Sequence, residues 1–299
     1  MMLEKHLNNI SKLLEEKDFE TIQEAQAFLD NMLKSGKPIP EVEAETPLER
    51  AQELIYQAYE ETSTKRRAAL ARQALEISPD CADAYNILAE TEHSPEKALE
   101  LFEQAMAAGE RAIGAEGFHE LEGNFWSATE TRPYMRAAQN VAELSWLLGQ
   151  RSRAIEMFER MLRLNPNDNQ GIRYRLVSYY LEEGDDKAAI KLLKKYKNDV
   201  SATWVYSQAL VIFRAKGPGA IADKALGIAF NHNPHVPDYL LGKKRMPFQM
   251  PEYIGFGDTS EAIEYVASDK RTWAQTPGAL DWLSQRYPTL KAHKPSGKE

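Results

Sequence analysis

The chain of 299 residues has one cysteine, Cys81, and six histidines. A single cysteine excludes an intramolecular disulfide and any metal cluster built from the cysteines of one chain. It fits a reducing compartment. Long hydrophobic runs are also missing: stretches such as Ala209-Leu210-Val211-Ile212-Phe213 fall far short of the roughly 20 apolar residues that cross a bilayer. The start, Met1-Met2-Leu3-Glu4-Lys5-His6, is polar and lacks a signal-peptide core. A soluble, cytoplasmic protein without a membrane span is the expectation. Positive charge is not in excess, since 37 Lys and Arg stand against 45 Asp and Glu, a net charge of −8. A protein that grips a phosphate backbone usually offers a basic face, so nucleic acid is not an expected partner. No segment sustains strand-type alternation, which leaves an all-α class.

A long period is present. Asn165-Pro166 and Asn233-Pro234 lie two 34-residue units apart, with Ala154 and Ala222, Phe158 and Leu226, and Leu162 and Phe230 recurring in phase. In the third unit Gly149 ends the turn between two helices, and Ala154 and Phe158 follow. In the fourth, Gly184, Ala189 and Leu193 keep the same offsets. Small residues let paired helices approach, and the large one fills the space between neighbours. The first unit runs from about Leu48 to Cys81, the second starts near Ala82, and the fifth ends at Pro234. Thr46-Pro47-Leu48-Glu49 and Asp258-Thr259-Ser260-Glu261 read as capping boxes that open helices.

The expected layout has an N-terminal helical hairpin over 1–35 and a helical-repeat region over 46–234. An insertion at 114–132 interrupts the repeats. A C-terminal helical cap over 235–290 and a flexible tail over 291–299 follow. Phe118, Phe125 and Trp126 beside Gly117 and Gly123 make the insertion a structural plug, with a ligand-contacting loop as the alternative.

These residues resemble tetratricopeptide-repeat proteins over about Leu48 to Pro234. The runs Glu130–Ala137 and Met161–Gly171 are similar to a bacterial repeat-protein family. Asn233-Pro234-His235-Val236-Pro237-Asp238-Tyr239-Leu240-Leu241 resembles the suppressor-of-tumorigenicity-seven family, as do Gly257-Asp258, Glu261-Ala262-Ile263, Tyr265, Trp273 and Gly278-Ala279-Leu280. The resemblance implies a right-handed α-solenoid of about five helical hairpins that serves as a binding scaffold. It supplies no catalytic residue. The membrane association of eukaryotic members does not carry over to a chain without their hydrophobic segments.

No catalytic constellation is legible. His119-Glu120-Leu121-Glu122 lacks the second histidine of a helical zinc site, because Gly123 stands there. His232 and His235 flank a turn. Gly255-Phe256-Gly257-Asp258 has no preceding strand and no lysine for phosphates. No metal, cofactor or enzymatic role is expected.

The repeat register instead nominates a groove. It is lined by Arg136, Gln139, Glu143 and Trp146, by Gln170, Arg173, Val177 and Tyr180, and by Trp204, Ser207, Val211 and Arg214. Arginine forks and stiff aromatic platforms suit a protein or peptide partner with an acidic group. The expected function is a non-catalytic adaptor or assembly scaffold using Arg136, Gln139, Trp146, Arg173, Tyr180, Trp204 and Arg214. Its rivals are a self-assembling homodimer and an enzyme with an unpatterned site near 114–132.

Overall fold

The protein is described by a computed structural model covering residues 2–17 and 19–292. Among the described residues there are fifteen α-helices and no strand. The chain forms two compact units, Met1–Gln170 and Gly171–Glu299. The first holds α1 (Met2–Glu16), α2 (Ile22–Lys34), α3 (Pro47–Glu60), α4 (Thr64–Ile77), α5 (Ala82–Glu90), α6 (Pro95–Glu120), α7 (Arg132–Leu147) and α8 (Arg151–Leu164). The second holds α9 (Ile172–Glu183), α10 (Asp186–Lys195), α11 (Ala202–Lys216), α12 (Ala220–His232), α13 (Val236–Leu240), α14 (Thr259–Gln275) and α15 (Ala279–Ala292).

In the first unit α3 packs on α4, α5 on α6, and α7 on α8. Alanines make the close contacts: Ala51, Ala58, Ala71, Ala74 and Ala84 are all fully buried around Ile55 and Ile87. At Gly109 an added Cβ would lie 2.9 Å from the Tyr134 Cβ, so only glycine lets α6 and α7 meet this closely. The capping box at the start of α3 is complete. Thr46 accepts from the Glu49 amide at 3.2 Å, and Glu49 accepts from the Thr46 amide at 3.0 Å. Burial pushes the Glu49 carboxyl up, but hydrogen bonds from Lys12 and the Thr46 and Glu45 amides bring it down to about 2.

The segment expected as a loop from Gly114 is helical up to Glu120. Gly114 breaks the axis of α6 with φ 70°, after which the helix resumes, because one left-handed residue redirects a helix without ending it. Phe118 and Phe125 stand 4.8 Å apart beside Tyr134, with Phe125 fully buried. Two 3-10 turns, Phe125–Ser127 and Thr129–Thr131, lead into α7.

In the second unit α9 packs on α10 and α11 on α12, while α13, α14 and α15 close one core with α11 and α12. Trp282 stacks on Phe213 at 4.6 Å and on Trp273 at 6.3 Å. The capping box expected at α14 is only half made. Asp258 accepts from the Ser260 and Glu261 amides, but Glu261 does not reach back to the cap. Its buried carboxylate instead accepts from the amides of Ala202 and Gly257 and from the Asn233 side chain, at 2.8–2.9 Å. A buried carboxylate must satisfy its oxygens, and three converging donors do so better than one amide. Helix α15 runs to Ala292, through the start of the expected tail. Residues 293–299 of that tail lie outside the described residues.

Candidate functional site

In the first unit α3, α5 and α7 lie side by side and α1 crosses their common face. Arg136, on the second turn of α7, is at the centre. Its guanidinium donates to Asp83 of α5 at 2.6 and 3.1 Å, and through both terminal nitrogens to Glu4 of α1 at 3.0 Å. Arg132 stands 3.7 Å from the same Glu4 carboxylate. Asn86 donates to Asp83 at 3.0 Å and to the Pro133 carbonyl at 3.0 Å. Burial alone lowers the affinity of Arg136 for its proton, but Asp83 and Glu4 outweigh it and raise the group above its ordinary range. Tyr56 and Tyr59 border the cluster, and burial with the nearby carboxylates raises both hydroxyls.

Helix α1 is held by polar contacts. Beyond Glu4, Lys5 pairs with Glu53 at 2.9 Å and Glu41 at 3.3 Å, and Lys12 with Glu49 at 2.8 Å. Its buried side chains, among those described, are Glu4 and Asn9, while Leu3 is 71% exposed. A cavity of about 220 Å³ remains beside α1, lined by Glu4, Asn8, Gln52, Tyr56, Ile113 and Pro133 among others.

The residues nominated from the repeat register fall in both units. In the first, Gln139 accepts from Gln170 at 2.9 Å and donates to Glu143 at 3.1 Å, and Arg151 lies over the Trp146 ring at 4.2 Å. In the second, Arg173 donates to Asp199 at 2.9 Å and lies over the Tyr174 ring at 4.3 Å. Arg214 donates to Thr276, the Leu181 carbonyl and Asp186, each at 2.9 Å. Tyr180 and Trp204 are buried, as are Val177, Ser207 and Val211. Trp204 stands edge-on to Tyr174 and Tyr196 and donates to the Leu193 carbonyl. Arg136, Arg173 and Arg214 therefore already hold acceptors of this same chain.

Sequence reasoning missed three acids. Glu4 and Asp83 complete the Arg136 cluster. The available signal was a lone carboxylate in the small-residue run Ala82-Asp83-Ala84. The third is Asp269 on α14, which crosses α9 and α11. It is 1% exposed and accepts from Ser178 at 2.9 Å, and its other oxygen has no partner among the described residues. Its neighbours in sequence, Ser268 and Lys270, suggest surface. Burial pushes the Asp269 carboxyl up to about 7. Ser178 and Arg175 oppose the rise and Glu182 adds to it.

Because the folded value exceeds the ordinary 3.8, this group's contribution is fully present below about pH 4 and is lost as pH rises towards 7. Between pH 5.5 and 8 it removes about 2 kcal/mol of stability. Asp269→Asn is expected to abolish that decline while keeping the Ser178 contact, as read from urea denaturation at the two pH values. Parallel slopes for variant and wild type would contradict it.

No group of three or more His, Cys, Asp or Glu is placed to hold a metal ion among the described residues. No helix among them is long and apolar enough to cross a membrane.

A profile of the family described as "ST7 protein" matches residues 41–293. The chain belongs to the ST7 family. It is 30% identical to "Protein ST7 homolog" of Drosophila melanogaster over 264 residues, 77% of this chain and 47% of that protein. It is 27% identical to "Suppressor of tumorigenicity 7 protein" of Macaca fascicularis and of Mus musculus over 282 residues. That alignment covers 79% of this chain and 52% and 48% of those proteins. The chain thus spans about half the length of the curated relatives it matches. Asp83 and Arg136 lie inside the ST7 match, whereas Glu4 and all of α1 lie before it.

Proposed function

We propose that this ST7-family chain is a non-catalytic binding scaffold, a tetratricopeptide-like α-solenoid. Its α3–α5–α7 face receives an amphipathic helix of a protein partner. The partner presents a carboxylate in its first turn to Arg136 and Arg132. The observation that carries this reading is α1 itself, which lies on the face as such a helix would, with Glu4 forked onto Arg136. Bidentate arginine–carboxylate pairing is geometrically selective, and helix-on-groove docking is a recurring recognition mode.

The manner of holding supports exchange. Outside the buried Glu4 fork, the ion pairs of Lys5 and Lys12 are partly exposed and contribute little each, about 0–1 kcal/mol, and the apolar side chains of α1, such as Leu7, Ile10 and Leu14, are only half-buried. By contrast, α14 in the second unit is locked by buried Ala262, Tyr265, Val266 and Trp273. That helix belongs to the core and is not an exchangeable occupant.

The test uses the full chain carrying Glu4→Gln and a labelled peptide of residues 2–17. The peptide is expected to bind the variant at least tenfold more tightly than wild type, because the internal helix no longer competes as well. A Glu4→Lys peptide is expected not to bind. No binding to the folded variant, or equal binding of the two peptides, would refute the reading.

A further inference from the structure

A second surface, independent of the α3–α5–α7 face, lies in the second unit. Helix α10 has 10 residues where α8 has 14. Between the short helix and α11 lies an open groove of about 400 Å³. Its walls are apolar, built from Ile190, Leu193, Trp204, Val211 and Ile212 and ending at Ile221, which is 63% exposed. It follows α11 from Trp204 to Ala215, about 16 Å at about 1.5 Å per residue.

The rim carries one sign of charge. Lys194 and Lys197 stand at the Trp204 end and Lys216 at the other, and no carboxylate lines the groove. Elsewhere lysines such as Lys5 and Lys12 hold carboxylates at 2.8–2.9 Å. None of these three has a carboxylate partner among the described residues. An apolar trough with uncompensated ammonium groups at its mouth complements a molecule with an alkyl body and an anionic head. The volume falls within the small-molecule range of about 300–1,000 Å³. A three-turn helix, about 10 Å across and about 16 Å long, has more than twice that volume.

We propose that this groove binds a single-chain anionic amphiphile, a fatty carboxylate of dodecanoate length. The alkyl chain lies along α11 and the carboxylate sits between Lys194 and Lys197. Burial of methylene groups against the accessible faces of Ile190, Ile212 and Ile221 drives binding, and the paired lysines select the sign of the head group. Lys216, alone at the far end, contributes less than the pair.

The test titrates the full-length chain with dodecanoate below its aggregation concentration, by calorimetry and by tryptophan emission. One dodecanoate per chain is expected, with an emission change that disappears in Trp204→Phe. Lys194→Glu with Lys197→Glu is expected to weaken binding at least tenfold, and Lys216→Glu by less. Ile212→Trp, which fills the trough, is expected to abolish binding, with circular dichroism confirming that each variant is folded. Equal binding of dodecyltrimethylammonium would overturn the proposal, as would unchanged affinity in the double variant. Association with anionic phospholipid vesicles without a dodecanoate site would also overturn it, in favour of a membrane surface.

Discussion

Arg136→Glu is expected to destabilise the first unit by about 4 kcal/mol or more, enough to unfold it at moderate temperature. Removing one partner of a buried ion pair costs about 3–5 kcal/mol because the other charge is left uncompensated. Here the reversal would place three carboxylates together, with Asp83 fully buried and Glu4 only 8% exposed. Arg136→Lys is expected to recover only part of the loss. A single ammonium cannot span the two Asp83 oxygens and the two Glu4 oxygens that the guanidinium now reaches. Urea denaturation, with amide exchange followed in α5 and α7, reads the effect. A variant within 1 kcal/mol of wild type would show that the cluster does not hold these helices together. A charge reversal at Arg136 therefore perturbs folding along with the proposed binding, and Glu4, on the helix proposed to exchange, is the cleaner handle for testing it.

Trp273→Ala is expected to cost about 3–5 kcal/mol, the range for truncating a buried large aromatic. Trp273 is fully buried. Its indole donates to the Tyr265 hydroxyl at 2.6 Å, and its ring lies parallel to Trp282, which itself stacks on Phe213. The substitution opens a cavity and strips a donor from a buried hydroxyl, two penalties that add. Trp273→Phe keeps most of the volume and is expected to lose roughly half as much. Loss of exchange protection in α14 and α15 would locate the damage, and unchanged protection there would contradict the assignment.

The turns that close α7 and α9 were legible because their signals are local. Gly149 and Gly184 sit at φ 80° and 78° where helices end, and Ala154 and Ala189 are fully buried where pairs cross. The Thr46–Glu49 box was legible for the same reason. The Asp258–Glu261 box was misread because Glu261 finds Ala202 and Asn233, donors distant in sequence, and those outcompete its own cap. Helix α6 continued past Gly114 because a glycine marks a permitted break without saying whether the helix resumes.

Composition, period and caps determined by themselves that this chain is all-α, where turns such as those at Gly149 and Gly184 fall, and that small residues such as Ala154 and Ala189 pack between helices. These depend on contacts within one or two turns, which any helix-forming segment carries with it. Only the tertiary structure decided which charges are used inside the molecule. Glu4 meets Arg136 across 132 positions, and Ser178 meets Asp269 across 91. A solvent-facing and a buried carboxylate look alike in a helical pattern. Burial comes from distant helices laid over them, and the electrostatics of each site follow from that packing.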